Sequence, residues 1–193
     1  MIKGMSLVVA LIVLAVVPTH ADVWKVDPAH SSVQFKVQHL VITNVVGEFG
    51  QFDATLNFDG KDVSTGSVEM TVKSASINTG TADRDKHLKS PDFFDAEKYP
   101  DLTFKSRKVI MGEGQKFKLV GDLTMRGVTK EVTFDCEFHG SAVMMGATRA
   151  GFSATAKVNR QDYGISWSKT LDNGGLIAGN EVDITLELEF VKT

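Results

Sequence analysis

Helical periodicity is the first thing this sequence lacks. Apolar residues almost never recur at a spacing of three or four, which excludes a helical bundle and argues against alternating β–α units. Cysteine is nearly absent as well. Cys136 stands alone, so no intramolecular disulfide can form. In an oxidising compartment the core alone would have to hold the fold. Charge of one sign is missing too: 21 Lys and Arg face 24 Asp and Glu, a formal net charge of -3, with no basic stripe. Nucleic acid is therefore not an expected partner. There is no Gly-x-Ser-x-Gly elbow. His30, His39, His87 and His139 lack the close pair and third ligand of a zinc site, so no metal is expected. No repeat, low-complexity tract or domain boundary interrupts the 193 residues, which suffice for one domain with a real core.

The N-terminus stands apart. Lys3 precedes an apolar run, Met5 to Val17, broken only by Ser6. Thr19-His20-Ala21 then offers a small-x-small cleavage site. This reads as a secretory signal peptide over residues 1–21, cut after Ala21, leaving a domain over residues 22–193. A retained anchor is the alternative, but a run of about 13 residues is short for a bilayer. No cysteine follows the cleavage site to carry a lipid. The signal looks bacterial, so the mature protein is expected in the periplasm.

What the sequence does have is alternation. The stretch Asp27-Pro28-Ala29-His30-Ser31-Ser32-Val33-Gln34-Phe35-Lys36-Val37-Gln38-His39-Leu40 reads as a turn feeding a long strand with one apolar face. Further sets follow at period two: Phe52 to Phe58, Val68 to Val72, Leu102 and Phe104, Phe117 to Met125, Val132 to Phe138, Phe152 to Val158, and Val182 to Phe190. That makes about eight strands. Gly121 allows a bend within its strand, and Gly47-Glu48-Phe49-Gly50 suggests a bulge or sharp bend. Asp59-Gly60-Lys61-Asp62, Met111-Gly112-Glu113-Gly114 and Met125-Arg126-Gly127 suit hairpins. Asp172-Asn173-Gly174-Gly175-Leu176 reads as a flexible loop before the last strand. Cys136 shares parity with Phe134 and Phe138 and reads as a buried packing residue.

One segment breaks the alternation. Thr81 can cap a short helix, with Asp83 and Asp85 in its first turn and Lys89 near its end, agreeing with the helix dipole. Ser90-Pro91 stops it. Two adjacent phenylalanines follow, Phe93 and Phe94, and at least one should plug a hydrophobic end.

These motifs coincide in order with a known family. Asp27-Pro28-Ala29-His30-Ser31-Ser32-Val33, Gly47-Glu48-Phe49 and Ala75-Ser76-Ile77-Asn78-Thr79 come first. Arg84-Asp85-Lys86-His87-Leu88, Pro91-Asp92-Phe93-Phe94-Asp95 and Tyr99-Pro100-Asp101-Leu102-Thr103-Phe104 follow. Gly121-Asp122-Leu123-Thr124-Met125-Arg126-Gly127-Val128-Thr129 and Asn159-Arg160-Gln161-Asp162-Tyr163-Gly164 complete the set. The chain closely resembles the YceI-like family of secreted bacterial proteins over roughly its whole mature length. The resemblance implies an all-β, eight-stranded antiparallel, lipocalin-like barrel with the short helix inserted. It also implies binding of polyisoprenoids, including isoprenoid quinones, with fatty acids or their amides in some members. It implies no established catalytic activity. One departure is visible: Val41-Ile42 follows His39-Leu40 where a Gly is common in the family.

On composition alone the aligned apolar faces would simply fill a core. Eight strands sit at the size where an interior either fills or holds one small ligand, and the resemblance favours the second. The expected lining is Val33, Phe35, Val37, Phe52, Leu56, Met70, Phe104, Leu119, Leu123, Phe134, Phe152, Ala154, Ile184 and Leu186, with Phe93, Phe94 and Trp167 near an end. His39, Arg84, Asp85 and His87 form either a polar lock for the helix or contacts to a headgroup. A strand of about ten residues spans roughly 33 Å, enough to shelter much of a polyprenyl tail. Twenty buried methylenes at about 0.8 kcal/mol each would contribute a gross ~16 kcal/mol. Ordering the chain removes much of that, so binding needs no specific polar anchor.

The expectation is a periplasmic carrier that sequesters a polyisoprenoid, an isoprenoid quinone or a related long-chain amphiphile, with no separate cofactor. Transient contact with a membrane and a homodimer are further partner readings that the sequence leaves open. The rival from another class is a secreted lipid-modifying hydrolase or isomerase using His30 or His87 with a nearby carboxylate.

Overall fold

The computed structural model of the chain describes residues 21–169 and 176–193. The expected signal peptide, apart from Ala21, and the expected flexible loop, apart from Leu176, lie outside the described residues. The described chain forms β1 (Asp22–Val26), β2 (Ser32–His39), β3 (Thr43–Phe49), β4 (Phe52–Phe58), β5 (Ser67–Lys73), β6 (Ile77–Asn78), β7 (Asp101–Met111), β8 (Lys116–Met125), β9 (Val128–Met144), β10 (Ala147–Asn159) and β11 (Ala178–Lys192). One helix, α1 (Ala82–Lys89), lies between β6 and β7.

Six of these segments are halves of three bent strands. β1 pairs with β4 while β2 pairs with β3, and β3 pairs with β6 while β4 pairs with β5. β1 with β2, β3 with β4, and β5 with β6 therefore each act as one strand. β11 pairs with β10 on one side and with both β1 and β2 on the other. The result is a closed, eight-stranded antiparallel barrel in which each strand neighbours the next in sequence.

The three bends are held by hydrogen bonds that reach across the chain. Between β1 and β2 the chain turns through Pro28–His30, whose start is capped by Asp27 Oδ1 accepting from Ala29 N at 3.0 Å. The turn is pinned from outside. Arg149 Nη1 donates to Asp27 Oδ2 at 2.8 Å and also to Glu189, and Ser31 Oγ accepts from Glu189 N at 2.9 Å. Between β3 and β4 the bend falls at Gly50-Gln51, next to the bend expected from Gly47 to Gly50. Between β5 and β6 the fully buried Ser74 donates through Oγ to Tyr99 O at 2.8 Å and Pro100 O at 3.0 Å.

Alternation decides which face is inside. Val132, Phe134, Cys136 and Phe138 of β9 are all buried, and the residues between them are not. The outer face carries cross-strand ion pairs, among them Lys73–Asp101 at 2.6 Å and Lys105–Glu69 at 2.7 Å. Each contributes little by itself. Together they oppose a one-residue slip, which would bury every charge at once. Gly121 serves as expected: a Cβ there would meet the Phe104 ring at 2.4 Å and Lys105 O at 2.5 Å, opposite an irregularity at Ser106/Lys108.

The helix forms where expected, but Thr81 does not cap it with its side chain. Asp85 folds back instead, and its Oδ1 accepts from Thr79 N at 2.9 Å and Thr79 Oγ1 at 2.5 Å. The Thr81 hydroxyl accepts from Arg84 Nη2 at 3.1 Å. Local side-chain bonding to Thr79 wins over the simple cap.

Candidate functional site

The barrel encloses a cavity of about 360 Å³. Its wall is almost entirely carbon, drawn from every long strand. Phe35, Val37, Met70, Leu119, Phe152 and Ile184 all border it.

One end is stoppered. Trp24 meets Phe58 with ring centroids 6.0 Å apart, and Phe58 meets Phe138 edge to face at 5.5 Å. Phe138 stacks on Phe152 at 4.9 Å, and Phe152 meets Phe190 at 6.0 Å. Trp24, which donates to Phe58 O at 2.8 Å, is 1% exposed. Contacts of this kind reward offset and edge-to-face geometry beyond simple area burial.

The other end is the mouth, built by three elements. The β2–β3 hairpin contributes Gln38, His39 and Val45; α1 and the segment after it contribute Arg84, His87, Leu88, Phe93 and Phe94; the loop segments around β11 contribute Trp167, Ile177 and Ala178. Phe93 and Phe94 act as the plug. Phe94 stands edge-on to Phe49 at 5.7 Å, and Phe93 packs on Trp167 at 5.2 Å. His87 is edge-on to both Phe93 and Trp167, at 5.0 and 5.2 Å. Arg126 donates to Pro91 O at 2.8 Å and to Gly164 O, clamping the plug to the barrel rim.

The polar groups at the mouth are largely engaged with the protein itself. Arg84 Nε donates to Thr79 Oγ1 and Nη2 to Thr79 O, both at 2.7 Å. His87 Nε2 lies 3.0 Å from Asp92 Oδ2. Arg160, 5% exposed, also borders the cavity and is spent on backbone: Nε to Gly179 O at 2.9 Å, Nη1 to Ile165 O and Trp167 O at 2.8 and 2.7 Å. Its Nη2 reaches Ala178 O and Asn180 Oδ1 at 3.3 and 3.2 Å. Burial lowers its pKa from the ordinary arginine value, and these bonds compensate the buried charge. It ties the Trp167 loop to the start of β11.

The residues expected from sequence fall as follows. Val33, Phe35, Val37, Leu56, Met70, Phe93, Phe94, Phe104, Leu119, Leu123, Phe134, Phe152, Ala154, Trp167, Ile184 and Leu186 border the cavity, as do His39, Arg84 and His87. Two do not. Phe52 has inward parity and packs against the core, but it is the first residue after the Gly50-Gln51 bend, which takes it off the cavity wall. Asp85 is turned toward Thr79 and locks the helix start. Phe58, Phe117 and Phe190 also border the cavity and share the parity of their sets, while Phe49, Arg160 and Ile177 border it without any alternation to mark them.

Cys136 borders the cavity and is buried, and burial pushes its thiol up to about 12. His30 sits on the outer surface, with Nδ1 3.0 Å from Asp27 Oδ2. Asp27, His30 and Glu189 come close enough together to resemble a metal cluster, yet Arg149 already bridges both carboxylates. The neighbouring Ser31 hydroxyl is committed to the Glu189 backbone, where it donates to the carbonyl at 3.4 Å.

A model of the YceI-like domain matches residues 24–190. The chain belongs to the YceI-like family. It is 40% identical over 166 residues to a UPF0312 protein of Staphylococcus aureus, covering 85% of this chain and 94% of the relative. The crystal structure of the Campylobacter jejuni YCEI protein is 34% identical, with a TM-score of 0.70 over 82% of this chain and 91% of that one. A domain from Saccharophagus degradans, described as polyisoprenoid binding, is 13% identical with a TM-score of 0.68, covering 88% of this chain and 98% of that domain. At that identity the likeness shows the shared YceI-type barrel alone. The motifs of this YceI-like chain map onto its bends and clamps: Asp27 to Ser31 at the first bend, Tyr99-Pro100 at the third, where they accept from Ser74, and Arg126-Gly127 over the plug.

Proposed function

We propose that this protein binds a single long-chain lipid of the polyisoprenoid or isoprenoid quinone class inside the barrel and carries it through the periplasm. The observation that carries the reading is the cavity itself: about 360 Å³ of apolar space, stoppered by aromatics at one end and ringed by polar side chains at the other. An apolar wall left in contact with water costs roughly 25 cal/mol for each Å² exposed. An apolar occupant removes that cost, and a wall whose charged side chains, Arg84 and Arg160, are bonded within the protein suits a hydrocarbon tail. The polyisoprenoid-binding description of the Saccharophagus degradans domain supports the ligand class. The leader expected over residues 1–21 supports the compartment.

Arg84, His39 and His87 border the cavity at its mouth, which suits contact with a headgroup. The rival, a lipid-modifying hydrolase or isomerase, keeps one geometric support, the His87–Asp92 pair at the mouth. Organic extraction of the purified protein followed by mass spectrometry separates the two. About one intact isoprenoid lipid per chain is the carrier's result. An empty or water-filled barrel, or turnover of added lipid, would refute it.

A further inference from the structure

The cavity mouth carries a feature that lipid storage alone does not require. Between Lys36 and Glu48 the chain has no Asp, Glu, Lys or Arg. This stretch forms the tip half of the β2–β3 hairpin, whose inward residues border the mouth and whose strands are joined by Leu40-Val41-Ile42. Val41 is 55% exposed and Ile42 82% exposed. Leu40 and Val41 hold left-handed backbone at φ 54 and 66, a conformation that a β-branched residue rarely adopts. The tip thus keeps bulky apolar side chains where glycine or asparagine would relax the turn.

We infer that this tip docks on a lipid bilayer and holds the cavity mouth against it. The inference rests on the reading of the cavity as a lipid site, because a bilayer is where such a ligand leaves and enters water. Three observations favour a bilayer as the occupant. Residues 37–47 bring no Asp, Glu, Lys or Arg that would have to be desolvated. Tip amides are already bonded within the protein: Leu40 N donates to Ile177 O at 3.0 Å and Ile42 N to His39 O at 3.2 Å. Backbone groups paired in this way do not demand water on entering an apolar phase. The patch is also continuous with the cavity wall through His39 and Val45, so a tail can pass between the two without crossing solvent.

The β9–β10 hairpin supplies an internal control. Val143 is 72% exposed and Met145 98% exposed, in a stretch equally free of Asp, Glu, Lys and Arg, but these residues do not border the cavity. Cys136 is buried, so an added surface cysteine is the reactive thiol. Ile42→Cys and Val143→Cys are each labelled with an environment-sensitive fluorophore and mixed with phosphatidylcholine–phosphatidylglycerol vesicles. The label at 42 should shift to the blue and the label at 143 should not. Adding Val41→Asp, which suits the left-handed backbone, should raise the vesicle concentration for half-signal at 42 at least tenfold. An unchanged spectrum at 42, an equal shift at 143, or indifference to Val41→Asp overturns the proposal. Extractable lipid is measured on the same variants. A shift at 42 in a protein without cavity lipid upholds docking and refutes the carrier reading; cavity lipid without a shift does the reverse.

Discussion

Phe35 lies across Gly47. The two are register partners on β2 and β3, and a Cβ at Gly47 would sit 2.3 Å from the Phe35 ring and 2.8 Å from Thr79 Cγ2. Gly47→Ala must push the ring toward the cavity or open the hairpin, at a cost of about 1–3 kcal/mol. Urea unfolding checks this, and Phe35→Leu in the same background should recover part of the loss. An unchanged midpoint for Gly47→Ala would mean that the ring does not occupy that space.

Phe35 and Lys36 are neighbours with opposite orientations. Phe35 borders the cavity, while Lys36 reaches Asp183 on the outside at 3.2 Å. Phe35→Glu places a carboxylate beside hydrocarbon, where it protonates, draws in water or distorts the strand. Co-purified lipid per folded protein should fall sharply, while Lys36→Glu changes stability by about half a kcal/mol and leaves lipid alone. Full lipid content in folded Phe35→Glu would place the tail elsewhere.

Acid should loosen the first bend. The hydrogen bond from Arg149, and after it that from His30, holds the Asp27 carboxyl down at about 2. A carboxyl lowered on folding stabilises the native state above its unfolded pKa, about 3.9. That contribution is lost as pH falls through about 2. Asp27→Asn should therefore be less stable than wild type at pH 6, with the gap narrowing between pH 4 and 2. Parallel denaturation midpoints across that range would show that the carboxylate does not hold the turn.

Cys136 should be inert in the folded protein. It is 7% exposed, and burial raises its thiol to about 12, so at pH 8 almost no thiolate is present to react. A charged, water-soluble thiol reagent should label it only after unfolding. Rapid stoichiometric labelling of native protein would reverse the facing of β9.

Exported protein should begin at Asp22. The basis is Lys3, the apolar run to Val17 and Thr19-His20-Ala21. Edman sequencing of the periplasmic fraction reads it directly, and an intact Met1 in membranes would contradict it.

Long alternating runs made the barrel legible. Val132 to Phe138 and Val182 to Phe190 announce inward faces without any tertiary information, and the structure follows them. The pairing of β1 with β2 into one bent strand was not legible. Five residues, Asp22 to Val26, are too short to carry a period, and the bend depends on Arg149 and Glu189, more than a hundred residues away. Phe52 shows the limit of parity, since a bend just before it changed what it borders while its facing stayed the same. Arg160 shows another: its role lies in five bonds, two to the Trp167 loop and three to the start of β11, none visible as a spacing. The mouth was legible as a set of residues, Phe93, Phe94, His87 and Trp167, but their mutual packing was not.

The pairing of Trp24 with Lys192 joins the first strand to the last. β1 and β11 form the closing seam, so the first strand waits for the last. Until β11 is available, a growing chain holds an open sheet with unpaired edges, and the contacts that close it join the two ends of the described domain. Such non-local pairing is slow relative to helix or hairpin formation. A chain that lacks β11 should therefore expose its apolar face rather than form a smaller barrel.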